Sequence, residues 1–151
     1  MMPALYSFAG HPSPETFRKA QSAYRAVCQS WPVWGQQCSA LLSSVGLSSD
    51  QIAYSNCLPW RTASQSAFVD YVAERAAALY AIPLIEELKP TIIVAVGKKA
   101  AAILGYSKVT LPPVVTWNRA RALKASVVRE REEATAQLRA LLAASAHEIA
   151  T

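Results

Sequence analysis

Lys89-Pro90-Thr91-Ile92-Ile93-Val94-Ala95-Val96-Gly97-Lys98-Lys99 is the stretch that decides how this chain is read. Thr91 to Val96 is β-branched and almost continuously apolar, the pattern of a strand buried on both faces of a parallel sheet. Pro90 marks where a preceding helix must stop, and Gly97 marks where the strand turns. Outward from this run, three more short apolar stretches read as strands. They are Leu5–Ala9, ending at Gly10; Gln51–Ser55, ending at Asn56; and Pro113–Trp117.

Helical patterns fill the intervals. Pro14–Ser30 starts with Ser13 as N-cap, Pro14 at the first helical position and Glu15 in the first turn, and aligns Phe17, Ala20, Tyr24 and Val27. Gly35–Ser44 carries Leu41 and Leu42 and ends near Gly46. Ser64–Leu88 aligns Phe68, Val72, Ala76, Leu79 and Tyr80, with Pro83 placed to kink or split it. Lys98–Leu104 is short. Lys124–His147 is amphipathic, with Val127, Val128, Ala134, Leu138, Leu141 and Leu142 as its stripe. The order β-α-α-β-α-β-α-β-α predicts an α/β protein with a four-stranded parallel sheet and helices on both faces. Ligands of such sheets bind beyond the carboxyl ends of the strands. The loops beginning at Gly10, Asn56, Gly97 and Trp117 are therefore the expected site.

Composition sets the outer bounds. A chain of 151 residues predicts a single domain, residues 1–151, with residues 124–147 as its C-terminal helix. Hydrophobic residues make up 52% and charged residues 17%, which excludes intrinsic disorder. No apolar run is long enough to span a membrane, so no membrane partner is expected. Met1-Met2-Pro3-Ala4 has no charged n-region before an apolar stretch, so no secretory signal is expected. Three cysteines without CxxC spacing speak against a disulfide framework or a zinc ribbon, and point to a reducing, cytoplasmic setting without a metal.

The net charge of +5 is unevenly placed. Residues 1–97 hold six basic and six acidic side chains, whereas residues 98–151 hold nine and four. Lys98 to Lys124 contains six basic residues and no acid. Such a stretch on a balanced domain fits an anionic partner, with nucleic acid first, or a solubilising surface.

The four strand ends hold the chemistry. After the first, Gly10-His11-Pro12-Ser13-Pro14 offers a sharp turn, a helix start suited to an anion, and His11 as an acid or base near neutral pH. A Pro-rich turn and helix cap is the plainer account. After the second, Asn56 has the donor and acceptor to pair with a pyrimidine-like edge, Trp60 could stack on a base, and Arg61 could hold a phosphate. A turn Asn and a core Trp are the alternative. After the third, Gly97-Lys98-Lys99 suits a backbone phosphate but lacks the P-loop pattern. After the fourth, Trp117-Asn118-Arg119-Ala120-Arg121 combines an aromatic, an amide and two guanidiniums.

Tyr54-Ser55-Asn56-Cys57-Leu58-Pro59-Trp60-Arg61-Thr62 resembles the segment of uracil-DNA glycosylases in which a strand ends in the Asn that reads uracil. Residues 85–101, with Lys89-Pro90, the apolar strand and Gly97, are similar to the next helix, strand and helix start of that superfamily. Trp34-Gly35-Gln36-Gln37-Cys38-Ser39-Ala40-Leu41-Leu42 resembles the helix before the Asn-bearing strand. The resemblance implies a three-layer α/β/α fold around a central parallel sheet, and a pocket that takes a flipped base. It implies base excision in DNA repair, hydrolysing the N-glycosidic bond without a cofactor. Asn56 matches the base-reading Asn. The other two signatures depart: Gly10-His11-Pro12 holds no carboxylate, and Trp117-Asn118-Arg119 stands where His-Pro-Ser is usual. Losing one leaving-group donor removes about 3–4 kcal/mol of transition-state stabilisation. Three cysteines also cannot hold the iron–sulfur cluster of some branches.

Two functions follow from the resemblance, and an unrelated doubly wound enzyme acting on a small phosphorylated ligand is a third reading. One is a DNA-binding, glycosylase-like hydrolase that excises uracil or a damaged base from single- or double-stranded DNA, with His11 and Asn56 as its catalytic residues. Asn56, Trp60, Trp117 and Asn118 then face the base, and Arg61, Lys98, Lys99, Arg119 and Arg121 hold phosphates. The other is a catalytically silent member that binds nucleic acid or a protein partner.

Overall fold

A parallel pair of strands needs a crossover, and the Lys89–Lys99 stretch supplies its start. In the computed structural model of the protein, residues 11, 13–30, 38–48, 51–58, 68–119 and 124–149 are described. Strand β1 (Ile93–Val96) pairs in parallel with β2 (Val114–Trp117) in the register Ile93↔Val114 to Val96↔Trp117. Two backbone bonds bracket the ladder: the Ile93 N–H donates to Pro113 O at 2.9 Å, and the Gly97 N–H donates to Trp117 O at 2.8 Å.

The chain divides into two compact units, Met1–Gln51 and Ile52–Thr151. In the first, α1 (Pro14–Ser30) begins as its cap residues dictate. The Thr16 N–H donates to Ser13 Oγ at 3.1 Å, and the Ser13 N–H donates to Thr16 Oγ1 at 2.9 Å. Ala20 of the expected stripe is buried. The side chains of Phe17 and Tyr24 lie outside those described. Helix α2 (Ser39–Ser44) ends at Gly46, whose φ of +72° lets the Leu47 N–H return to Leu42 O at 2.9 Å.

In the second unit, α3 (Asp70–Ala76), a π-helical turn (Ala77–Ala81) and α4 (Ile82–Leu88) follow without a break. Pro83 explains the wide turn. It has no N–H to offer the carbonyl four residues back and its ring crowds that carbonyl, so the helix widens just before it. Lys89 then adopts left-handed geometry with φ of +46°, donating its N–H to Ile85 O at 2.9 Å, and Pro90 ends the helix. Ala73, Ala76, Ala77, Ala81 and Ile82 pack with Ile103 of α5 (Lys98–Gly105) as a buried cluster. Small alanines let the two helices approach closely.

Helix α6 (Ala125–Ile149) follows β2, and buries Val127, Ala134 and Leu138. Val128 was expected on that stripe but is exposed, because the spacing 127-131-134-138 places Arg131, not Val128, in line. Among the described residues no helix is long and apolar enough to cross a membrane.

The expected four-stranded, three-layer α/β/α architecture is not what forms. The described residues hold one sheet of two strands, and helices dominate. Leu5–Ala9 lies outside the described residues. Gln51–Ser55 is irregular rather than a strand. Its inward–outward alternation is real, with Ile52 and Tyr54 half-buried and Ala53 and Ser55 exposed. Ser55 Oγ and Tyr80 OH hydrogen-bond at 2.8 Å, and Cys57 and Leu58 pack on the alanine cluster. Period-two burial signals a half-buried surface, not a ladder.

Candidate nucleic-acid interface

Because β1 and β2 are parallel and in register, their carboxyl ends coincide. The loop at Gly97-Lys98-Lys99 and the loop at Asn118-Arg119 are therefore brought side by side. Gly97 makes this possible. Its φ of +93° is strained for any L side chain, and it is buried. The Arg119 stem lies directly on it: a Cβ at position 97 would meet Arg119 Cδ at 3.2 Å and Cγ at 3.3 Å.

Lys98 and Lys99 open α5 and both are exposed. Neither is ion-paired with a carboxylate among the described residues. Lys99 Nζ stands 4.7 Å from the centroid of the Phe68 ring, over its face. Arg119 is exposed. Three cations thus share one edge of the second unit.

Trp117 and Asn118 turn the other way. Trp117 is 6% exposed, and Arg131 of α6 lies over its ring at 5.4 Å. Its Nε1 is buried without a hydrogen-bond partner among the described residues. Asn118 Nδ2 donates to Glu130 Oε2 at 2.6 Å, and Arg131 Nε donates to Asn118 O at 2.8 Å. These two residues fasten the end of β2 to α6, Trp117 through its ring and Asn118 through its amide and carbonyl.

Asn56 is exposed in the irregular segment of the second unit, just before Cys57 and Leu58. Burial pushes the Cys57 thiol up from its ordinary range. His11 is exposed in the first unit, and its carbonyl accepts the Thr16 hydroxyl at 2.7 Å, a helix-cap contact. Trp60, Arg61 and Arg121 lie outside the described residues. The described residues hold no cluster of three or more His, Cys, Asp or Glu side chains able to bind a metal ion.

Phe68 is the site residue that sequence reasoning missed. Its spacing with Val72 and Ala76 reads as a helix stripe, yet the helix begins at Asp70 and Phe68 precedes it. Asp70, an acid suited to a first helical turn, was the available signal. Glu130 and Arg131 were equally hidden, since charges on a helix normally read as a solvated face. Comparison with protein-family models, characterised proteins and solved structures finds no match to this chain.

Proposed function

We infer that this protein binds DNA, and that Lys98, Lys99 and Arg119 contact its phosphates. One observation carries the reading: the Val96↔Trp117 register sets two cation-bearing loops at one edge of the sheet. The stretch from Lys98 to Lys124 itself contains six basic residues and no acid. Backbone phosphates supply the evenly spaced anions such an edge can hold, and contacts of this type need no base sequence. The reading is one of binding, and bond cleavage forms no part of it.

Fluorescence anisotropy with a labelled oligonucleotide tests this. Affinity should fall steeply as salt rises from about 50 to 200 mM, because each phosphate contact releases a counterion. The Lys98→Gln/Lys99→Gln double variant should lower the slope of log affinity against log salt by about two. An affinity indifferent to salt, or an unchanged slope in the double variant, would contradict the assignment.

A further inference from the structure

The Lys99–Phe68 pair is not explained by phosphate contact alone. Phe68 is half-buried and packs on the cluster built by Ala73, Ala76, Ala77, Ala81, Ile82 and Ile103. That packing holds the ring in place. Among the described residues, an exposed ammonium lies over its face at 4.7 Å, on a long flexible stem. An exposed cation–π contact is weak, and lysine is a mobile point charge that moves readily to a stronger anion. A phosphate arriving at Lys98 and Arg119 would be such an anion.

We propose that Phe68 is a stacking platform for a base of single-stranded DNA, uncovered when Lys99 leaves the ring for a backbone phosphate. The proposal rests on the DNA-binding reading above and adds strand preference to it. A paired base is stacked on both faces within a duplex, whereas an unpaired base can lay one face on an aromatic ring. A fixed ring beside a basic edge is the arrangement that non-specific single-strand binders use. The stacking is tolerant of base identity, since every base presents a π face. Asn56 belongs to the same unit as the ring, and the two residues after it, Cys57 and Leu58, pack on the same cluster as Phe68.

The test compares two strands of equal length and charge at one salt concentration, an ordinary single strand and one whose sugars carry no bases. The unmodified protein should bind the base-bearing strand about tenfold more tightly. Phe68→Leu should reduce that advantage to nothing while leaving the abasic affinity where it was. Lys99→Gln should weaken both strands by the same factor. Equal affinity of the unmodified protein for the two strands would overturn the stacking assignment, and that comparison needs no variant to fold. So would a Phe68→Leu protein that weakens both strands alike. If neither strand binds at low salt, the DNA-binding reading falls and takes this proposal with it. If both bind equally, only the stacking platform falls.

Discussion

Two aromatic rings in the second unit lie under a cation. Lys99 covers Phe68 at 4.7 Å, and Arg131 covers Trp117 at 5.4 Å. The chemistry is the same and the surroundings differ. Arg131 is half-buried, and its Nε also holds the Asn118 carbonyl at 2.8 Å. Lys99 is exposed, and among the described residues its ring contact is what ties it. A half-buried cation held on two sides locks strand to helix. A cation held on one side at the surface can exchange its ring for a phosphate. Burial, rather than residue type, separates a structural pair from a binding pair.

The largest expected effect comes from breaking the structural pair. Trp117→Ala removes a buried aromatic and should cost about 3–5 kcal/mol in denaturant unfolding. Trp117→Phe should cost much less, since it also removes an indole N–H that is buried without a partner among the described residues, at a cost of roughly 1–3 kcal/mol. If the two substitutions destabilise equally, Trp117 is not the packed anchor described.

Next is the hinge between the pairs. Gly97→Ala must place a side chain at a φ of +93° and against the Arg119 stem. A loss of about 1–3 kcal/mol in thermal unfolding is expected for such strain. A neutral result would show that the strand end relaxes freely.

The binding pair should behave in the opposite way. Lys99→Gln should leave unfolding within about 0.5 kcal/mol of the unmodified protein, as befits an exposed substitution. It should still weaken DNA binding and flatten its salt dependence. If Lys99→Gln destabilises the fold as Trp117→Ala does, the two pairs are alike and the distinction fails.

The smallest effect reports on the cluster beneath Phe68. Tyr106 packs on that cluster, and its phenol is held above its ordinary range by desolvation, by its hydrogen bond to Asp70 and by the negative charges of Asp70 and Glu74. A raised folded pKa favours the folded state below the unfolded value and is lost as pH rises through the folded one. Tyr106 therefore supports the fold up to the unfolded tyrosine range and loses that support in alkali. Asp70→Asn should move the phenolate absorbance transition to lower pH. Phe68→Leu should leave it in place if the cluster stays intact.

Sequence reasoning located the helices and the β1–α5–β2 crossover because each carries local punctuation. Pro90 and Gly97 bracket one strand, Pro113 precedes the other, and Ser13 caps the first helix through its own side chain. It misread Gln51–Ser55, because alternation reports which side chains are buried and not what covers them. Ser55 reaches Tyr80, twenty-five residues away, and no local pattern encodes that meeting. The same limit applied to the site. Lys98, Lys99 and Arg119 were visible as charges at strand ends. Phe68 was hidden within an apolar rhythm, and the engagement of Trp117 and Asn118 by α6 depends on a helix that begins at Ala125, beyond their own loop.

Amide NMR of the labelled protein during titration with single-stranded DNA tests the central claim most directly. Shifts should concentrate at residues 97–101, at Asn118 and Arg119, and at Phe68. The Trp117 indole N–H signal should stay in place. Shifts confined to other elements, or a large displacement of the Trp117 indole without change at Lys98 and Lys99, would contradict the account.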